Sequence, residues 1–374
     1  MDNLTHSLVG LAAAKAGLER RSPYATFVCV AAANLPDIDI VALARGPAFY
    51  LQQHRGITHS IVGALALAVA FPLLFYAGEH GLARARGLEP RARLKGLLLC
   101  SLLLTASHPL LDWTNSYGVR PFLPWDGRWI YGDLLYVVDP WVWLVLGGAC
   151  FLLARSRLRA AGWGLLALVV TAVFFRVMSR PDAGAHAGAL VLWGAALALF
   201  SVLRWRGAGV RFGGRVAGTA LAAVAVYCVA LSLVQWQVRR GAEALARGLA
   251  GREGERVLRV AATPALADPL TWRCLAECDR STRRFDVTVG SLEPDGLRDV
   301  ERFEKPSGEE LEVVRRASED PAARVLLDFA RFPAARVVRT DAGGWVVQFA
   351  DLRFTEPGAR ARAGGFALEV TVGQ

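Results

Sequence analysis

Seven side chains able to bind a metal or move a proton crowd into the first third of the chain: His6, Asp37, Asp39, His54, His59, His108 and Asp112. His108 and Asp112 stand four apart, so on a helix they project from one face, a spacing used by helical metal sites. Asp37-Ile38-Asp39 follows Pro36, which disrupts the preceding turn. The two carboxylates then need not splay as on a regular helix, and either could bridge two cations. Gly56 lies between His54 and His59, which places His54 in a loop and His59 on a first helical turn. Imidazoles with carboxylates suit zinc, manganese or iron better than calcium or magnesium. Taken singly, each has a bland reading, a hydrogen-bonding histidine or a Pro-Asp helix end. Together they point to a divalent metal, with zinc, manganese and iron all open.

The elements that must position them are apolar. The chain has 374 residues, 54% hydrophobic and 20% charged, with a mean hydropathy of +0.33. A soluble protein carries about 25% charged residues. The apolar residues concentrate before about residue 238, which excludes an ordinary soluble enzyme and a disordered chain. The pattern predicts a polytopic α-helical membrane protein, with about seven to eight membrane helices, and a C-terminal soluble, mostly β, small domain. Spans are expected at roughly 24–44, 57–77, 94–112, 134–154, 161–177, 185–203 and 215–237, preceded by a marginal one at 4–18. The domains read as 1–145 with the metal-site helices, 146–237 with further transmembrane helices, and 238–374 as an extracytoplasmic α+β domain. In that tail, short alternating segments at Arg284–Val289, Glu310–Val314, Ala335–Arg339, Trp345–Phe349 and Phe366–Val372 predict strands, with a turn at Asp341-Ala342-Gly343-Gly344.

The net charge is +10, and only Lys15, Lys95 and Lys305 are lysines. This arginine excess reads as compositional bias and loop retention, so no nucleic-acid partner is expected. The six cysteines form no metal-finger spacing and no disulfide framework. Four loops are basic: Glu19-Arg20-Arg21, Arg84 to Lys95, Arg155 to Arg159, and Arg204 to Arg215. Strict alternation puts all four on one side, the cytoplasmic one by the positive-inside rule. Loops 45–56, 113–133 and 178–184, and the tail, fall on the other. All seven chemical side chains then reach the same, non-cytoplasmic end, although the arginines alone set the topology. Carboxylates and imidazoles at such depth are costly and usually functional.

Thr5-His6-Ser7-Leu8-Val9-Gly10 recurs as Thr58-His59-Ser60-Ile61-Val62-Gly63, which raises the question of a duplicated helical hairpin. Asp139 is open to three roles: ligand, partner for a histidine, or helix cap. Asn34 and Asn115 could orient a water, bind a phosphate oxygen or cap helices. Trp113, Tyr117, Phe122, Trp125, Trp129 and Tyr131 form an interfacial aromatic belt or a substrate-facing rim.

Four ordered motifs, Asp2-Asn3-Leu4-Thr5-His6, Asn34-Leu35-Pro36-Asp37-Ile38-Asp39, His54-Arg55-Gly56-Ile57-Thr58-His59-Ser60 and His108-Pro109-Leu110-Leu111-Asp112-Trp113-Thr114-Asn115-Ser116-Tyr117-Gly118, resemble the bacterial YdjM-type family. The resemblance covers about residues 1–145, including the Asp133 to Asp139-Pro140 segment, and the tail, with Pro264, Pro269, Trp272 and Asp351-Leu352-Arg353-Phe354, is less specifically similar to longer members. It implies a multi-pass inner-membrane protein of a kind described as metal-dependent hydrolases. That family is distantly similar to zinc-dependent phospholipase C and single-strand nucleases, whose His-x-x-x-Asp pair His108 and Asp112 match. The expectation is a membrane-bound metal-dependent hydrolase facing membrane lipids and acting on a phosphoester of a lipid or envelope substrate at the outer membrane face. Asp37, Asp39, His59, His108 and Asp112 are its expected metal ligands, for zinc first and manganese second. His6, His54 and Asp39 are its proton-transfer candidates, and Arg55, Asn115 and Arg120 its substrate-binding ones. The rival is a non-catalytic anchor or assembly protein with a structural metal.

Overall fold

A computed structural model describes residues 1–178, 187–289, 300–340, 343–359 and 365–373. Most of the expected loop 178–184 and the first half of the turn at 341–344 lie outside the described residues. The chain divides into two units. The first comprises Met1–Ile38, Ile57–Leu231 and Leu266–Pro269, and the second Asp39–Gly56, Ser232–Ala265 and Leu270–Gln374.

The first unit is helical. It contains α1 (Asn3–Ala16), α2 (Ala25–Asn34), α4 (Ile61–Ala85), α5 (Leu94–Trp113), α6 (Pro140–Leu152), α7 (Arg157–Met178), α8 (Ala187–Trp205) and α9 (Ala208–Phe212). It also holds the start of α10 (Gly214–Arg252). Among the described residues, six helical stretches are long and apolar enough to cross a membrane: Ala25–Arg45, Ile61–Ala85, Leu94–Trp113, Arg157–Arg176, Gly188–Trp205 and Gly214–Arg252. Leu168 and Leu192 are exposed, as lipid-facing positions are.

Two expected spans are shorter. Helix α6 has 13 residues, about 20 Å, against a hydrocarbon core of about 30 Å. The expected start at 134 fails because Pro140 lacks an N–H and Asp139 caps the helix through the Trp141 and Val142 amides. Helix α1 has 14 residues and is capped by Asp2, whose carboxylate accepts from the Thr5 amide and hydroxyl.

Helices α1, α2, α4 and α5 pack together: α1 on α2, α2 on α5, and α4 on α5. Gly10 lets α1 and α2 approach, since a Cβ there would fall 2.7 Å from the Cys29 carbonyl oxygen. After Asn34 the α-helix gives way to a 3-10 segment, Leu35–Arg45, where Pro36 removes a donor.

The echo does not produce two equivalent hairpins. His6 lies inside α1, whereas His59 sits in a 3-10 turn (Ile57–His59) ahead of α4, and Ser60 caps α4 by accepting from the Gly63 amide. Gly63 is required there, because a Cβ would meet the Ile57 carbonyl oxygen at 1.8 Å.

The second unit contains two antiparallel sheets. One has the order β1 (Val257–Ala265), β2 (Asp268–Cys278), β3 (Ser281–Thr288), β4 (Glu301–Glu304). The other runs β5 (Pro333–Arg339), β6 (Trp345–Asp351), β7 (Ala367–Val372). Leu275, Phe332 and Leu352 form a buried core. The expected strand at Glu310–Val314 is instead helix α11 (Glu309–Ala317). Acids fill its first turn and arginines its last, which suits the helix dipole, and Val313 and Ala317 bury one face at i,i+4 spacing. A following helix, α12 (Pro321–Phe329), packs against α3 (Pro47–Gln53), so segment 39–56 belongs to this unit. The tail motif at Asp351 is structural. Its carboxylate accepts from the Arg331 and Arg353 amides and the Arg353 guanidinium, which also lies over Phe329 and Phe354.

Candidate metal centre

Four ligand atoms from three chain segments meet inside the first unit. Asp37 comes from the 3-10 segment after α2, His59 from the turn before α4, and His108 and Asp112 from the last turns of α5. Pro109, inside α5, leaves the His108–Asp112 face intact. His59, His108 and Asp112 are buried, and the Asp37 side chain keeps 16% of its surface.

Their spacing tests the fit to a metal. His59 Nε2 lies 3.1 Å from His108 Nε2, 3.4 Å from Asp37 Oδ1 and 3.2 Å from Asp112 Oδ2. His108 Nε2 lies 3.4 Å from both Asp37 Oδ1 and Asp112 Oδ2. Zinc–ligand bonds of about 2.0–2.1 Å put the corners of a tetrahedron about 3.3–3.4 Å apart. Three edges of this set match that size and two, at 3.1 and 3.2 Å, are slightly shorter, and the chemistry is two imidazoles with two carboxylates. The residues fit a divalent cation held by two imidazoles and two carboxylates.

The rings are oriented from behind. His108 Nδ1 donates to the Ala33 carbonyl at 2.6 Å, which fixes its proton there and turns the Nε2 lone pair toward the cluster. His59 Nδ1 lies 3.0 Å from the Thr58 hydroxyl. His6 stacks on His108 with centroids 3.7 Å apart, and its Nε2 is 3.4 Å from Asp112 Oδ1. The Met1 backbone nitrogen also meets Asp112 Oδ1. Sequence reasoning missed Met1, Thr58 and Ala33. The Thr-His dipeptide was visible, whereas a backbone carbonyl leaves no signature in the sequence.

The other expected site residues sit as follows. In the second unit, Asp39 Oδ1 is 3.0 Å from His54 Nδ1, and Asp39 Oδ2 accepts from the Arg55 amide. His54 stacks on Tyr50, and Arg55 is buried with a left-handed backbone, φ 53°. In the first unit, Asn115 is buried and accepts from the Tyr117 amide, a turn-forming contact. Arg120 stacks over Trp129 at 4.5 Å. Asn34 donates to Ser7 and the Val30 carbonyl, tying α1 to α2. Asp139 takes the third of its three roles: besides capping α6 it accepts from the Tyr227 hydroxyl. Phe122 and Trp125 are exposed at the tip of loop 113–133.

These features define a polytopic membrane protein with a buried His/Asp cluster among its N-terminal helices. Residues 1–183, just under half of the chain, are similar to the family model described as YdjM inner membrane protein. A curated relative, "Uncharacterized protein YfhP" of Bacillus subtilis (strain 168), is 28% identical over 152 residues. The match covers 38% of this chain and spans only 43% of that relative. No solved structure matches.

Proposed function

We propose that the protein is a membrane-bound metal-dependent hydrolase acting on a phosphoester of a lipid or envelope substrate, with the cluster and the tail on the extracytoplasmic side. One observation carries this reading: two imidazoles and two carboxylates converge on one cluster, three of them buried while Asp37 keeps exposed surface through which a substrate could approach. Asp37, His59, His108 and Asp112 hold the cation. When bound, zinc supplies Lewis acidity and lowers the pKa of a coordinated water toward neutrality. His108 is held by Ala33, so it stays in register, and His6 shares Asp112 with the cluster, a position suited to proton transfer. The Asp39–His54 pair, within the second unit, is a separate acid/base candidate, its imidazole oriented through Nδ1. Arg55, Asn115 and Arg120 are the substrate-side candidates.

A second reading has its own support. Structural zinc sites have four protein ligands, whereas catalytic ones keep a position for water. A closed four-residue shell therefore favours a metal that pins α2, α4 and α5 together in a non-catalytic anchor. Asp37, the ligand with exposed surface, is where the two readings part. The test is turnover of phosphodiester and phosphomonoester lipids in micelles by zinc-loaded full-length protein. Chelator-sensitive turnover restored by zinc supports the hydrolase. No turnover across the panel, with one zinc retained per chain, supports the anchor.

A further inference from the structure

A second site lies at the other end of the same helices. The basic loops expected on one side do converge: a cavity of about 1290 Å³ is lined from loops 17–24, 153–159 and 204–214. The fourth basic loop joins them nearby, since the Arg93 amide donates to Ser22 and Gly96 packs against the Arg21 carbonyl. Along α5, His108 stands 13 residues beyond Lys95, about 20 Å. The cavity is thus remote from the metal cluster and takes no part in its chemistry.

Its lining joins charge to apolar surface. Lys15, Arg20, Arg155, Arg159 and Arg204 face a lone acid, Glu19. Glu19 is held by Lys15 at 2.6 Å and by the Thr26 hydroxyl. Arg204 is spent on the carbonyls of Phe151, Leu152 and Ala154. Arg20, Arg155 and Arg159 make no side-chain hydrogen bond or ion pair among the described residues, so three guanidiniums remain available. Leu11, Cys150, Leu152 and Trp163 supply the apolar wall. Arg159 and Trp163 are one helical turn apart at the start of the span Arg157–Arg176, the depth at which headgroups and tryptophans sit. Retention of loops accounts for basic residues but not for a cavity with one greasy wall.

We propose that this cavity binds a phosphate-bearing amphiphile, an anionic phospholipid, with its phosphate among Arg20, Arg155 and Arg159 and its acyl chains against Leu11 and Trp163. Guanidiniums match phosphate oxygens in a fork, which the choline of a zwitterionic lipid would oppose. Each arginine near an anionic headgroup contributes roughly a fivefold gain in affinity, and added salt weakens it.

The experiment titrates full-length protein in neutral detergent with dihexanoyl phosphatidylglycerol, dihexanoyl phosphatidylcholine and inorganic phosphate. The glycerol lipid should bind at least tenfold tighter than either of the others. Arg155→Gln with Arg159→Gln should weaken it at least tenfold and leave the choline lipid unchanged. Glu19→Gln removes the opposing charge and should tighten binding, a gain that misfolding cannot produce. Equal affinity for the two lipids would overturn the proposal. Inorganic phosphate binding as tightly as the anionic lipid would also overturn it, by leaving the acyl wall no role. Should the double arginine variant fail to fold, Glu19→Gln decides alone, and unchanged or weaker binding in it refutes the site.

Discussion

The Nε2 atoms of His59 and His108 face each other at 3.1 Å, while His108 Nδ1 is committed to the Ala33 carbonyl. A neutral His108 therefore offers only a lone pair to its neighbour. Without a cation, His59 must carry its proton on Nε2 and accept from Thr58 at Nδ1. With a cation, His59 must move that proton to Nδ1 and donate to Thr58. Zinc should thus switch the tautomer of His59 and leave that of His108 unchanged. Nitrogen-15 spectra of histidine-labelled protein, with and without zinc, would read this. An unmoved His59 in zinc-loaded protein removes it from the coordination shell.

Loss of a direct ligand should strip the metal. His108→Ala and Asp112→Ala are each expected to abolish stoichiometric zinc in purified protein, measured by elemental analysis. Thr58→Val, which removes only the support behind His59, should weaken zinc by about 10–100-fold. Asp37→Ala should retain zinc more weakly, and it should lose all turnover if the protein is a hydrolase. The anchor reading expects instead a lower unfolding temperature with no activity to lose.

Orientation is testable by thiol labelling. Leu88→Cys, in the arginine-rich loop, and Glu310→Cys, on α11, both stand at exposed positions. In a background without native cysteines, an impermeant reagent applied outside should label residue 310 and spare residue 88. Labelling of both from one face contradicts the alternation.

The tail carries its own pH dependence. Burial alone would raise the Glu255 carboxyl, but the Ser281 hydroxyl and the Arg302 and Arg283 guanidiniums outweigh it and hold the group below its ordinary 4.5. A depressed carboxylate stabilises the fold above its ordinary pKa and loses that contribution as pH falls through the lowered one. Hydrogen-exchange protection of β3 and β4 in the full chain should therefore hold down to about pH 5 and fall progressively as the pH drops below 4.5. Glu255→Gln should flatten that change. It should also cost about 3 kcal/mol at neutral pH, because Arg283 is left buried with one partner fewer.

Much of the site was legible because its side chains are scarce and their spacing is informative. His108 and Asp112 declared a helix face, and the arginine loops, which converge as alternation requires, brought His6 and His59 to the same end. Asn34 and Asn115 were not legible, because an amide that ties two helices and one that binds a phosphate look alike in sequence. Glu310–Val314 alternates like a strand, yet its register of acids and arginines makes a helix, so charge order outweighed period over so short a run. The start of α6 was misplaced for the opposite reason: the apolar run from 134 drew the expected span ahead of Asp139-Pro140, although Asp139 had a cap among its open roles.

The bond from His108 to the Ala33 carbonyl has a consequence for how this chain can drift. The group that aims the ligand belongs to the backbone, so no change of side-chain chemistry at position 33 can delete it. Size is what selection can see there: Ala33 is buried, and its Cβ lies 3.1 Å from where a side chain on Gly10 would begin. Small residues should be interchangeable at both positions, while a bulky one at either would tilt α2 against α1 and swing the carbonyl off the imidazole. Descendants could thus lose the metal through substitutions at residues that never touch it, with every ligand still in place.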